Sequence, residues 1–169
     1  MFGKRNSMNG LVRLVTSLVL GMVICYSTMS FAQIIPGATC KAENTALSDY
    51  VEYFDGRADN GYSASTYVIC PLEAMYATNR DLNSVEIFVN DRTNTSNFVC
   101  WVHARNDGTS AVSVAKTTSL SGTGTSTLSW TDSELEQVNG SIWYIRCLIP
   151  GANPNHSYIE RIKYTQGDN

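Results

Sequence analysis

Two segments of alternating residues, each containing one cysteine, constrain this fold more than any other feature of the sequence. Successive side chains of a β-strand point to opposite faces, so each segment has two distinct sides. The apolar sides are Phe98, Cys100, Val102 and Ala104 in the first segment, and Trp143, Ile145, Cys147 and Ile149 in the second. The opposite sides are Val99, Trp101, His103 and Arg105, and Ile142, Tyr144, Arg146 and Leu148. Both cysteines therefore lie on the more apolar side of a predicted strand.

Short runs of β-branched and aromatic residues recur along the chain between dipeptides that favour tight turns. The turn dipeptides are Asp55-Gly56, Asn60-Gly61, Asp107-Gly108 and Asn139-Gly140. The predicted strands cover residues 49–54, 65–70, 84–90, 97–105, 111–118, 126–130, 141–149 and 158–165, with one helical turn within residues 131–138. About eight strands at this spacing predict a single all-β domain, an antiparallel β-sandwich of jelly-roll or immunoglobulin-like type.

The first 32 residues have the pattern of a cleavable signal peptide. Three basic residues lead into an apolar run from Leu14 to Ile24, and Ser30 and Ala32 are the small residues expected before a cut after Ala32. A membrane-spanning helix needs about 20 apolar residues, so this run is too short to favour an anchor. We therefore predict a signal peptide over residues 1–32 and a mature domain over residues 33–169. The predicted destination is the periplasm, the cell surface or the medium.

The charge of the predicted mature chain narrows its partners. Cleavage removes three of the twelve basic residues and none of the fifteen acidic ones, leaving nine basic against fifteen acidic residues and a net charge of −6. Nucleic acids and anionic membranes are not attracted to such a surface. We therefore expect no nucleic-acid partner and no stable membrane insertion after cleavage.

Four cysteines remain in the mature chain, at Cys40, Cys70, Cys100 and Cys147. An even number in an exported chain predicts two disulfides. Zinc sites usually contain closely spaced cysteine pairs, which are absent from this sequence. The shared apolar side favours a bridge between Cys100 and Cys147, either across the core or between neighbouring strands. Cys40 is then left to pair with Cys70.

The candidate ligand-binding residues are Trp101, His103, Arg105, Tyr144 and Arg146, on the less apolar sides of the two segments. Sugar rings stack on exposed aromatic side chains, and protein interfaces use Trp, Tyr and Arg as anchors. As an alternative to ligand binding, His103 can be interpreted as a strand residue that is simply exposed to solvent. Trp101 is equally compatible with a place in the core.

Three oxygen-bearing residues, Asp55, Asp59 and Asn60, fall in a predicted loop between the first two strands. Ca²⁺ prefers such ligands, but their spacing matches no EF-hand, and Asp and Asn are also frequent turn residues. We predict no metal and no cofactor, with Ca²⁺ at these three residues as the alternative. The sequence contains neither a nucleophile elbow nor a zinc-protease helix motif, and its acidic residues single out no catalytic pair.

The cysteine landmarks resemble those of a loose group of small exported bacterial proteins of unassigned function. That group has a cysteine soon after the signal peptide, then Cys-Pro-Leu, an isolated third cysteine, and Cys-x-x-Pro near the end. The matching residues are Cys40, Cys70-Pro71-Leu72, Cys100 and Cys147-Leu148-Ile149-Pro150. The resemblance covers most of the mature chain and implies an exported β-sandwich with two disulfides. It implies no activity and no catalytic residues.

These observations predict an exported, non-enzymatic β-sandwich that binds a carbohydrate or an extracellular protein, or that assembles with copies of itself. The alternative is a small secreted hydrolase that uses Asp and Glu carboxylates.

Overall fold

Two antiparallel β-sheets pack face to face in this chain, for which a computed structural model describes residues 31–72, 80–106, 109–118, 123–135, 142–152 and 155–168. These residues contain twelve strands, two short 3-10 helices and one four-residue helix, α1 (Asp132–Leu135). The strands are β1 (Phe31–Pro36), β2 (Lys41–Ala42), β3 (Val51–Phe54), β4 (Arg57–Asn60), β5 (Thr66–Pro71), β6 (Arg80–Asp91), β7 (Val99–Asn106), β8 (Thr109–Val112), β9 (Lys116–Thr117), β10 (Gly124–Trp130), β11 (Ile142–Ile149) and β12 (Tyr158–Asp168). The 3-10 helices are Gly37–Thr39 and Thr45–Tyr50. The predicted all-β sandwich is confirmed.

Each sheet is organised around one strand near the C-terminal end of the sequence. Sheet A has the order β10-β6-β12-β4-β3, and β1 also pairs with β12. Sheet B has the order β2-β5-β11-β7-β8, and β9 also pairs with β7. The inner faces of the two sheets contribute to one continuous hydrophobic core. The residues that the sequence places on the apolar sides of β7 and β11 are all buried in it.

The tryptophans divide between the core and the surface. Trp130 and Trp143 are buried, with 1% and 5% of their surface exposed. Trp101 is half-buried and lies on the outer face of sheet B, so the structure selects the surface alternative for this residue. Cys100 and Val102, the neighbours of Trp101 in β7, are buried in the core. Because successive residues of a strand alternate between faces, Trp101 points outward.

Both predicted disulfides form, Cys40–Cys70 and Cys100–Cys147. Cys100 lies directly opposite Cys147 in the pairing of β7 with β11, so this disulfide joins neighbouring strands and does not cross the core. The other disulfide ties the residue before β2 to β5, in the same sheet. All four cysteines are completely buried on the inner face of sheet B. Disulfides form and persist in oxidising compartments, which is consistent with a protein that functions outside the cytoplasm.

The segment predicted as a loop after residue 54 is a tight hairpin followed by a strand. Asp55 and Gly56 have φ values of 49° and 76°, the left-handed conformation that a two-residue hairpin turn requires. Chain reversal is thus complete after two residues, and residues 57–60 form β4. The other differences are that β1 and β2 are absent from the predicted strands, and that predicted strand 111–118 forms β8 and β9 separately.

Asn60 connects the end of β4 in sheet A to the end of β11 in sheet B. Its Nδ2 atom donates hydrogen bonds to the carbonyl oxygens of Ala64, Ile149 and Pro150 at 3.0, 3.1 and 3.0 Å. Its Oδ1 atom accepts a hydrogen bond from the backbone N–H of Tyr62 at 2.9 Å. Asn60 is completely buried, so these bonds satisfy its side-chain amide in place of water.

Several predicted features lie outside the described residues. They are residues 1–30 of the predicted signal peptide, the dipeptides Asp107-Gly108 and Asn139-Gly140, and residues 136–138 of the predicted helical turn. Helix α1 lies within the remainder of that turn. Among the residues that are described, no helix is long and apolar enough to cross a membrane.

We expect Asn60→Asp to lower the free energy of unfolding by about 3 kcal/mol, because a carboxylate cannot donate to the carbonyl oxygens of Ile149 and Pro150 and is itself costly to bury. Urea denaturation of the oxidised protein measures this change. The control is Asn90→Asp, because Asn90 is only half-buried and makes one long hydrogen bond to Thr125. Equal effects of the two substitutions would contradict the structural role of Asn60.

Candidate functional site: the aromatic face of sheet B

All five predicted ligand-binding residues lie on the outer face of sheet B. The register of β7 with β11 sets Tyr144 opposite His103 and Arg146 opposite Trp101. Directly opposite residues of an antiparallel pair share a face, so the four side chains form one block. The aromatic face, as we term it, comprises Lys41, Glu43, Tyr67, Trp101, His103, Arg105, Tyr144 and Arg146.

Arg146 is the most strongly held side chain of the aromatic face. Its Nε and Nη2 atoms donate to the carboxylate of Glu43, at 3.0 Å and 2.8 Å to Oε2. Its guanidinium also lies 3.8 Å from the centre of the Tyr67 ring. The hydrogen bonds to Glu43 raise the pKa of Arg146 above its ordinary value. A planar, two-pronged donor that also stacks on an aromatic ring has little freedom, so Arg146 is preorganised.

His103 and Tyr144 form a stacked pair beside Arg146. Their ring centroids are 4.8 Å apart and their planes differ by 10°. The Nε2 atom of His103 is buried and has no hydrogen-bond partner among the described residues. Burial is the main cause that lowers the pKa of His103 from 6.5; the charge of Arg146 lowers it further, and the charge of Glu43 opposes both. His103 therefore favours its neutral form.

The stacked pair stands upright on the sheet. Neighbouring strands are about 4.8 Å apart, and the centroids of the rings of His103 and Tyr144 have the same separation. Nearly parallel rings on directly opposite residues therefore face each other, so each covers one flat side of the other. Trp101 and Tyr67 are packed side by side in a tilted arrangement, with ring centroids 6.5 Å apart. The aromatic face thus contains two ring pairs, His103 with Tyr144 and Tyr67 with Trp101, and one guanidinium beside the Tyr67 ring.

Exposed apolar residues border the aromatic face. Val112 lies opposite His103 and is 50% exposed, and Ile142 lies opposite Arg105 and is 61% exposed. Val114, just beyond β8, is 64% exposed. Clusters of exposed apolar side chains on a folded domain are typical of contact surfaces.

The aromatic face has a net positive charge, whereas the whole chain has a net negative charge. The residues of the face that are charged at neutral pH are three cations, Lys41, Arg105 and Arg146, and one carboxylate, Glu43. The whole chain carries a formal net charge of −3. A positive surface on an acidic protein favours negatively charged partners at that surface.

Three residues of the aromatic face were not predicted from the sequence: Lys41, Glu43 and Tyr67. Tyr67 alternates with buried residues in a predicted strand, so its outward direction could have been inferred. Lys41 and Glu43 could not, because β2 is two residues long and shows no readable alternation.

The candidate Ca²⁺ ligands do not converge. Asp55 is at the exposed tip of the hairpin, whereas Asp59 and Asn60 are consecutive residues of β4 and point to opposite faces of sheet A. The amide of Asn60 is fully engaged with backbone groups. Within the described part of the chain, no group of three or more His, Cys, Asp or Glu residues is arranged to hold a metal ion.

Among the described residues, Glu52 and Asp59 are two acidic residues that lie side by side. They lie directly opposite each other on β3 and β4. Burial is the main cause that raises the pKa of Asp59 above 3.8, and the charge of Glu52 also raises it. The charges of Arg57, His156 and Arg92 oppose this shift. This pair is a location that the structure offers for carboxylate chemistry.

Comparison with known proteins identifies no relative for this chain: no protein-family model matches it, and no curated protein matches it. The likeness of its cysteine landmarks to those of exported bacterial proteins therefore stays a prediction.

We expect His103 to make the protein less stable as the pH falls below 6.5. The unfolded chain takes up a proton near pH 6.5, whereas the folded protein takes it up only at a lower pH, so protonation favours unfolding in between. The difference in unfolding free energy between the wild type and His103→Gln should shrink as the pH falls through this range. Denaturation at several pH values measures it. His156→Gln, as the control, should retain the wild-type trend; a constant wild-type minus His103→Gln difference would contradict the assignment.

Proposed function

We propose that this chain is an exported, non-enzymatic binding domain whose aromatic face holds a protein partner. The observation that carries the proposal is a cluster of five half-buried side chains on the outer face of sheet B: Trp101, Tyr67, Arg146, Tyr144 and His103. Trp, Tyr and Arg are the residue types that contribute most to binding energy at protein interfaces. Side chains fixed before binding lose little conformational entropy when a partner arrives. The face is therefore suited to specific binding.

The orientation of the rings favours a protein over a carbohydrate. A sugar ring stacks on the flat side of an aromatic ring. On the aromatic face, Tyr144 is stacked against His103, and Tyr67 is covered on one side by Arg146. Partly covered rings with an apolar border of Val112 and Ile142 match the mixed apolar and polar surface of a polypeptide better.

The charge of the face defines the partner further. Three cations against one carboxylate favour an acidic segment, and the rings favour aromatic or aliphatic residues within that segment. The partner that fits is an acidic polypeptide surface carrying aromatic side chains. The two disulfides and the signal-peptide pattern support binding of this partner outside the cytoplasm.

Selection from a random peptide library displayed on phage tests this proposal with a defined probe. On immobilised, oxidised protein we expect enrichment of peptides rich in Asp or Glu and in aromatic residues. Trp101→Ala should weaken the binding of the selected peptides about tenfold or more, since a central anchor contributes at least about 1.4 kcal/mol. Fluorescence anisotropy with the synthetic peptides measures the change.

The matched control is Phe88→Ala on the outer face of sheet A. Phe88 is half-buried and lies 4.3 Å from the guanidinium of Arg161, a ring–arginine pair like that of Tyr67 with Arg146. Its removal should leave peptide binding unchanged. Selection without an acidic preference, or binding that Trp101→Ala does not affect, would contradict the proposal. Retention of neutral oligosaccharides that is lost in Trp101→Ala would assign the face to carbohydrate instead.

The Glu52–Asp59 pair allows a test of the hydrolase alternative. A carboxyl group whose pKa is raised by burial is suited to donate a proton as a general acid, with the second carboxylate as its partner. In this alternative the wild type releases reducing sugar from a panel of polysaccharides, and Asp59→Asn abolishes the release. Glu86→Gln, which removes an exposed ion pair with Lys163, is the control. A wild type without turnover on the panel would contradict the alternative.

A further inference from the structure

Exposed large hydrophobic side chains concentrate at two places on this molecule. Of the seven in the described part of the chain, three border the aromatic face, and three others are Tyr50, Tyr53 and Phe54, which are 45%, 48% and 62% exposed. The latter three lie in or next to β3, the last strand at one edge of sheet A. An edge strand with exposed aromatic residues is a ready surface for contact with another chain.

The same segment is acidic. Asp49, Glu52 and Asp55 are all exposed, and the side chains of Glu52 and Asp55 have 61% and 69% of their surface accessible. The one basic residue of the hairpin, Arg57, lies 4.5 Å from the ring of Tyr158. We term residues 49–57 the acidic hairpin. Its aromatic and carboxylate side chains are the features that the aromatic face favours in a partner.

The two surfaces are directed so that they cannot meet within one molecule. The acidic hairpin belongs to sheet A, whereas the aromatic face is the side of sheet B that points away from sheet A. Contact between them therefore requires two copies of the chain. The pair then still has one unoccupied aromatic face, on one copy, and one unoccupied acidic hairpin, on the other. A contact between two different surfaces of identical molecules extends into chains or closes into rings.

We propose that the protein assembles head to tail, with the acidic hairpin of one copy bound to the aromatic face of the next. This inference rests on the proposed function, since it names the partner of the same face. The aromatic face carries three cations against one carboxylate, and the hairpin carries three exposed carboxylates against one cation, so the two surfaces have opposite net charge. Phe54, which is 62% exposed, provides the apolar part of the contact beside Trp101. Repulsion between like charges opposes the contact of two aromatic faces or of two acidic hairpins.

Sedimentation velocity over a range of concentrations tests the assembly on the purified, oxidised protein. We expect the average mass of the wild type to rise beyond the dimer with concentration, and to fall again with added salt. Trp101→Ala removes the anchor of the aromatic face, and Phe54→Lys places a cation on the acidic hairpin. Each variant alone should be monomeric under conditions in which the wild type assembles, which corresponds to about tenfold weaker association or more. Circular dichroism of both variants checks that they are folded.

Mixing the two variants gives the decisive result. Trp101→Ala retains a good hairpin and Phe54→Lys retains a good aromatic face, so their mixture should form a dimer and stop there. The control is Ile34→Lys, which alters another exposed apolar residue, 65% accessible, and should assemble like the wild type. A mixture that stays monomeric, a wild type that stops at a dimer, or a wild type that is monomeric at every concentration would overturn the proposal.

The selected acidic peptides separate this inference from the proposed function. Phe54→Lys keeps the aromatic face intact and should bind those peptides with the affinity of the wild type. If the wild type is monomeric but binds the peptides, the assembly is wrong and the binding function stands. If the wild type neither assembles nor binds any peptide, both are wrong.

Discussion

The register between β7 and β11 is the constraint on which the rest of this structure depends. A shift of one residue would turn every side chain of a strand to the opposite face of its sheet. The disulfide between Cys100 and Cys147 prevents such a shift, because it joins two residues that lie directly opposite each other. Closing a loop between residues 47 positions apart also stabilises the fold by about 4 kcal/mol in the chain-entropy model. With the cysteines fixed inward, Trp101 and Arg146 are fixed outward.

Sheet B is thus a rigid support, and its second disulfide extends this rigidity to the edge. Cys40–Cys70 holds the two-residue strand β2 against β5, and the adjacent Glu43 reaches back to Arg146. The ion pair between Arg146 and Glu43, which orders the aromatic face, therefore joins two segments that are each held by a disulfide. Sheet A contributes the opposite half of the core and presents the acidic hairpin at its edge. The two proposed contact surfaces consequently belong to different sheets of one sandwich.

The sequence was most informative in strands long enough to show the alternation of apolar and polar residues. It was least informative about contacts between residues that are far apart in the chain. Eight-residue strands such as β7 and β11 show their faces directly, so the disulfide pairing and the outward direction of four residues of the aromatic face were predictable: His103, Arg105, Tyr144 and Arg146. The position of Trp101 was not, because its side of β7 is also partly apolar. β4 was mistaken for a loop, because Asp and Asn favour turns, whereas Asn60 is held by carbonyls 89 and 90 residues away. Strands of two residues, such as β2, carry no periodic signal at all.

The three tryptophan side chains provide the most direct test of the central claim that the outer face of sheet B is the contact surface. Each indole N–H gives its own signal in a ¹H–¹⁵N NMR spectrum, and the signals can be followed as the protein is concentrated or mixed with an acidic aromatic peptide. The account predicts that the Trp101 signal shifts or broadens, while those of the buried Trp130 and Trp143 stay in place. Equal changes in all three signals, or a Trp101 signal unaffected by a partner that binds, would contradict it.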